Sequence, residues 1–139
     1  MFNRFFVILI CFTVLASACN NLNSETKNDV KVYESNRSSK IQFSETISNL
    51  GKVKQGEKVF TWFDYKNVGD GLALIENIRA GCGCTIPEWD KEPVAPGEDQ
   101  SIKVVFDSAG KTGVQNINVT VYTNGEPGQI TLRIMAEVI

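Results

Sequence analysis

From Lys40 to the C-terminus, apolar and polar residues alternate, most cleanly at the end, where Ile130, Leu132, Ile134, Ala136 and Val138 interleave with Thr131, Arg133, Met135 and Glu137. A period of two puts every second side chain on one face of an extended chain, whereas a helix needs a period of 3.6. The pattern recurs upstream. Ile41, Phe43 and Ile47 read as a first strand, Glu57 to Asn67 as a second and Leu72 to Ala80 as a third. Pro87, Pro93 and Pro96-Gly97 predict a loop carrying Trp89, after which Ile102, Val104 and Phe106, and then Ile117, Val119 and Val121, resume the alternation. Turn chemistry punctuates these runs at Asn67-Val68-Gly69-Asp70-Gly71, Asn124-Gly125 and Pro127-Gly128. About seven short strands with no helical stretch predict an all-β fold, an immunoglobulin-like antiparallel β-sandwich over residues 41–139.

The N-terminus reads as an address. Residues 1–18 combine a basic Arg4, a mostly apolar run from Phe5 to Leu15 and the small residues Ala16-Ser17-Ala18. Such a run is too short to span a bilayer, which takes about 20 residues, and fits an export signal. Cleavage after Ala18 exposes Cys19. The arrangement resembles a bacterial lipobox, although Ala16 holds the place usually taken by leucine, and it predicts lipidation of Cys19 and attachment to a membrane of the cell envelope, facing the periplasm or the cell surface. The plain alternative is secretion with an unpaired Cys19. Residues 19–40, rich in Asn, Ser, Lys and Glu, read as a flexible linker; twenty such residues reach about 25 Å.

Charge and composition exclude several function classes. Without residues 1–18 the chain keeps 13 basic and 16 acidic residues of the full 14 and 16, a mild acidity that offers no basic patch to nucleic acid. The sequence has no histidine. Serine-histidine and cysteine-histidine catalysis and the histidine metal sites are therefore unavailable. An enzyme would have to run on carboxylates, lysine or the cysteine pair, and the chain reads as a non-enzyme with thiol-disulfide activity as the enzymatic alternative.

The stretch Gly81-Cys82-Gly83-Cys84-Thr85 is where residue choice looks chemical. On a regular strand residues i and i+2 lie about 6.6 to 6.8 Å apart, the upper edge of disulfide reach, so a Cys82–Cys84 bond needs a bend at Gly83. Four readings stay open: an internal disulfide, buried free thiols, a redox-active pair, or a clamp for a soft metal. Two thiolates suit linear Cu(I) and not tetrahedral zinc. Met135 adds a thioether only if the fold brings it near.

Phe60 and Trp62 fall on the face opposite Val59, Phe63 and Tyr65, and are candidates for a partner-binding patch unless the linker, a loop or a bulge hides them. Trp89 joins them as a candidate, with a lid on the sandwich end as its alternative. Asp107-Ser108-Ala109 resembles a bacterial O-glycosylation acceptor, with Ser108 as the attachment point, or is a plain turn. Scattered carboxylates such as Glu45, Glu57, Glu76, Glu88 and Asp90 read as solvated surface.

Asn67-x-Gly69-Asp70, Ile78 to Pro87 around the two cysteines, Ala95-Pro96-Gly97-Glu98 and Val104-x-Phe106-Asp107-Ser108 together resemble an exported bacterial family, domain of unknown function fifteen seventy-three, over about residues 43–139. The resemblance implies a fold like the Hydin and major-sperm-protein immunoglobulin-like modules, which are non-catalytic, and a setting among Bacteroidota lipoproteins. The sequence thus predicts a binding or scaffolding lipoprotein with a protein partner and no cofactor. The alternative is thiol-disulfide exchange or Cu(I) binding through Cys82 and Cys84.

Overall fold

The computed structural model describes residues 38–139; residues 1–37, with the predicted signal, Cys19 and most of the linker, lie outside the described residues. Eight strands form the domain: β1 (Ile41–Phe43), β2 (Ile47–Val53), β3 (Lys58–Asn67), β4 (Ile75–Ala80), β5 (Thr85–Glu88), β6 (Asp99–Asp107), β7 (Gly113–Thr123) and β8 (Gln129–Val138). They make two four-stranded sheets, A in the order β1-β3-β6-β5 and B in the order β2-β8-β7-β4. The predicted sandwich is what forms. Phe63, Ile102, Val104 and Phe106 of sheet A meet Val119, Val121, Leu132 and Ile134 of sheet B in a core that excludes water. These are the inward members of the alternating runs, as the period of two requires.

Two elements depart from expectation. The predicted first strand is two strands: the chain bends at Ser44 and Thr46 and changes sheets, so β1 pairs with β3 while β2 pairs with β8. Ile47 therefore ends half exposed instead of in the core. The β2–β8 pair is parallel, the one parallel pairing in an otherwise antiparallel sandwich. Parallel neighbours need a long connection, and here it is nearly the whole domain.

The second departure is β5, expected as loop because it contains Pro87. The Asp107 N–H donates to the Cys84 carbonyl at 2.8 Å. Since Thr85 faces Phe106 and Ile86 faces Val105, the ladder bonds of β5 fall at Cys84 and Ile86, and Thr85 and Pro87 turn their backbone groups to the free edge. The N–H that proline lacks is one the ladder does not use, the condition under which an edge strand tolerates it.

One end of the sandwich is tied by Asn67. Fully buried, it donates from Nδ2 to the carbonyls of Gly71 at 2.8 Å and Val94 at 2.9 Å and accepts the Gly69 N–H at 3.0 Å. Gly69 lies so close to the Ser38–Lys40 backbone that a Cβ would collide with the Ser38 carbonyl. The last linker residues are thus part of the domain. The Ser38 carbonyl accepts the N–H groups of Asp70 and Gly71, and the Ser39 carbonyl that of Glu126.

Candidate functional site

Two features stand out above the core, and both meet at β5. The first is the outward face of sheet A. Register places Phe60, Val105 and Ile86 in one row across β3, β6 and β5, and Trp62, Lys103 and Glu88 in the next. Phe60, Trp62 and Ile86 are 58%, 53% and 56% exposed. The two aromatic rings meet edge to face with centroids 6.5 Å apart, and the Lys103 ammonium sits 5.6 Å from the Phe60 centroid while pairing with Glu88 at 3.2 Å. Ion pairs frame the rows: Lys58 with Asp107 at 3.4 Å on one flank and Lys66 with Asp99 at 3.2 Å on the other. The Ala109 N–H and then Lys58 hold the Asp107 carboxyl below the usual carboxylate range. An apolar centre inside a charged rim is the anatomy of a protein interface.

Phe60 and Trp62 were readable as outward from alternation alone. Ile86 was not, because Pro87 had removed its strand from consideration. The signal that finds it is the period of two in Thr85-Ile86-Pro87-Glu88, where Thr85 is buried and Ile86 exposed.

The second feature is the cysteine corner, which carries the chain from sheet B to sheet A. The Gly81 N–H donates to the Asn118 carbonyl of β7 at 2.8 Å, and the Cys84 carbonyl accepts from Asp107 of β6. Between these anchors the chain folds tightly enough to bring the two cysteine Cα atoms to 5.2 Å, and the sulfurs are bonded. The bend does not use a left-handed glycine: Gly83 is absent from the positive-φ residues, and a Cβ on it would meet nothing within 4 Å. Gly81 is the tighter position, where a Cβ would come 3.1 Å from the Asn118 carbonyl oxygen.

Both cysteines are half buried against the core. Thr85 lies beneath them, with Oγ1 3.4 Å from Cys82 Sγ and 3.8 Å from Cys84 Sγ. A bonded pair presents no thiolate, so Cu(I) would require reduction first. Met135 brings no third sulfur to the corner: it lines a shallow groove on the outer face of sheet B with Asn49, Val114 and Asn116. Among the described residues no cluster of three or more His, Cys, Asp or Glu has metal-binding geometry.

Two candidates from the sequence are placed elsewhere. Trp89 does not join Phe60 and Trp62; it packs half buried against the core, its Nε1–H donating to the Ile75 carbonyl at 3.4 Å and Lys91 5.8 Å from its ring. Position decides this, since Trp89 follows the inward parity of Thr85 and Pro87. Ser108 is not an exposed glycan acceptor. It is fully buried, with its hydroxyl 2.8 Å from the carbonyls of both Lys54 and Glu57, where a sugar has no room.

Residues 41–138, nearly all of the described domain, match the family described as Protein of unknown function (DUF1573). The chain belongs to that family. No curated protein matches it. Among solved structures, a protein of unknown function from Porphyromonas gingivalis W83 is similar at a TM-score of 0.65 and 14% identity, over 78% of this chain and 51% of that one. The VesB protease of Vibrio cholerae is similar at 0.57 and 20% identity, over 72% and 32%. The PapD-like domain 7 of human CEP192 is similar at 0.55 and 11% identity, over 73% and 87%. This DUF1573 chain thus spans about half or less of the first two of these proteins. At such identities the likeness is one of fold. Its PapD-like member agrees with the immunoglobulin-like sandwich.

Proposed function

We propose that this DUF1573 chain is a non-catalytic binding module of the bacterial cell envelope, tethered to a membrane through acylated Cys19 and docking a protein on the outward face of sheet A. The observation that carries the reading is the row Phe60–Val105–Ile86 beside Trp62, three large exposed apolar side chains gathered on one face of three adjacent strands. Lone exposed apolar residues are ordinary, whereas a contiguous patch rimmed by charge marks interaction surfaces. The absence of histidine from the sequence supports a non-catalytic role, and the signal-like residues 1–18 before Cys19 support export and anchoring. Several acyl chains on one residue anchor stably where a single chain is marginal. The patch is small beside the roughly 800 Å² per partner of a standard stable interface, which favours reversible docking.

The test is site-specific photo-crosslinking in cells of the native host. A photoreactive residue at position 62 is expected to give a discrete protein adduct that disappears in Phe60→Ser/Ile86→Ser, whereas the same probe at Thr131, on the outer face of sheet B, gives none. Equal adducts from both faces, or an adduct indifferent to the double substitution, would reject the surface. Cys19→Ser is expected to move the protein from the membrane to the soluble fraction; membrane retention by the variant would reject the anchor.

A further inference from the structure

Three observations meet at the cysteine corner, and none depends on the docking face. First, the bond closes a very short loop, with a single intervening residue, and so removes little chain entropy from the unfolded state compared with a long-range disulfide. Second, the corner is held without it, by Gly81 on Asn118 in sheet B and by Cys84 on Asp107 in sheet A. The bond is not what joins the sheets. Third, Thr85 is buried, at 5% exposure, and the side-chain hydrogen-bond partners of its hydroxyl are the two sulfurs. A buried hydroxyl directed at a disulfide gains most when one sulfur becomes a thiolate, because hydrogen bonds to ionised acceptors are roughly twice as strong as neutral ones. Gly83 is exposed with open space beside it and the two cysteines are only half buried, and exposed disulfides are the more labile ones.

We propose that Cys82–Cys84 exchanges stoichiometrically with protein dithiols, one pair per encounter and without turnover, with Cys84 the sulfur attacked and Cys82 the leaving thiolate received by Thr85. A thiolate of the partner dithiol attacks Cys84 Sγ; the new S–S bond forms as the Cys82–Cys84 bond breaks, and the electron pair passes to Cys82 Sγ. There the Thr85 O–H, 3.4 Å away, donates to it. The partner's second thiolate then attacks its own sulfur in the mixed disulfide and releases Cys84. Both cysteines take up the protons that the partner lost. The partner leaves as a disulfide, and two electrons and two protons remain on Cys82 and Cys84. A partner disulfide is reduced by the same steps in reverse. Thr85 is a positioning residue, acting through Cys82.

The signal-free chain carrying Cys19→Ser keeps Cys82 and Cys84 as its only cysteines. It would be equilibrated in graded ratios of reduced to oxidised dithiothreitol, quenched with an alkylating reagent and weighed intact, with tryptophan fluorescence reporting the fold. The expected result is two alkyl groups per chain when the folded, reduced protein is quenched, and none when the reduced protein is returned to oxidising buffer before the quench. Alkylation that needs denaturant, or reduction that unfolds the domain, would overturn the proposal.

The direction of attack is read separately, by peptide mapping of the mixed disulfide that glutathione leaves on the wild-type pair. Glutathione on Cys84 is expected, and glutathione on Cys82 or evenly on both overturns the assigned order. In the reduced protein Thr85→Val is expected to raise the pH midpoint of Cys82 alkylation by about one unit, the size of one charge-assisted hydrogen bond, with Thr85→Ser restoring it. An unchanged midpoint in a folded Thr85→Val variant overturns the role of Thr85. None of these readouts tests docking at Phe60, Trp62 or Ile86, so failure here leaves the docking face standing, and the converse.

Discussion

The Nδ2 of Asn67 donates to the Val94 carbonyl at 2.9 Å, fastening the turn after β3 to the loop before β6 across 27 residues of chain. Both partners are buried, so water cannot replace either one. Asn67→Ala strands the Gly71 carbonyl and the Gly69 N–H, leaves the Val94 carbonyl with the Ala73 N–H alone, and is expected to cost about 2–4 kcal/mol. Urea unfolding measures it, as a lower midpoint with unchanged slope.

The two glycines of the cysteine motif should separate cleanly. Gly83→Ala adds a methyl into open space at ordinary φ and is expected to change stability by less than about 0.5 kcal/mol. Gly81→Ala presses on the Asn118 carbonyl and is expected to cost about 1–3 kcal/mol. Thermal melts of the two variants side by side decide the matter. A larger loss for Gly83→Ala would contradict the geometry of the bend.

Phenylalanines three residues apart on β3 should behave oppositely. Phe63, in the core, is expected to lose about 3–5 kcal/mol on replacement by alanine, whereas exposed Phe60 should lose under about 1 kcal/mol. Phe60→Ala would keep the melting temperature near that of the wild type while abolishing the position-62 crosslink.

Ser108→Ala removes a buried hydroxyl that bonds the chain leading into β3. The carbonyls of Lys54 and Glu57 both lose that neighbour, and a cost of about 1–3 kcal/mol is expected. Peptide mass mapping of the protein from its native host is expected to show no hexose on the peptide containing Ser108.

Burial, and then the negative charge of Asp90, push the Tyr65 hydroxyl up to about 12 from 10.0. The folded state thus keeps a proton that the unfolded state gives up. The contribution to stability is complete below pH 10, declines as pH rises through the interval and is gone above about 12. Tyrosinate absorbance should show one late titration near pH 12 that vanishes in Tyr65→Phe, and alkaline unfolding should shift with it.

Most of this was legible from alternation, because a sandwich needs little more than an inward face on each strand. The inward runs of β3, β6, β7 and β8 follow directly from Val59 to Tyr65, Ile102 to Phe106, Ile117 to Val121 and Ile130 to Val138. What alternation could not convey is sheet membership. Phe43 and Ile47 keep the same parity on one strand, yet the bend between them places them on different sheets. Proline also misled: an unused N–H at the free edge is a property of register, which exists only once β6 is beside β5. The same distinction governs the site. Phe60 and Trp62 were visible one strand at a time, whereas Ile86 beside them and Thr85 beneath the sulfurs are products of pairing and of the corner. Asp107-Ser108-Ala109 carried a plausible surface signal, and only the fold shows its hydroxyl consumed by backbone.

The clamp on Ser38 and Ser39 has a mechanical meaning. The backbone of these residues is bonded to Asp70, Gly71 and Glu126, and β1, which follows at once, is laced to β3. Tension applied from the N-terminal side therefore enters the strand array that carries Phe60 and Trp62. Under the proposed anchoring and docking, a pull would run along the β1–β3 ladder, and the Ser39–Glu126 bond would share it with the turn between β7 and β8 of sheet B. The same bonds would make the first residues of the domain the last to peel away under such a pull.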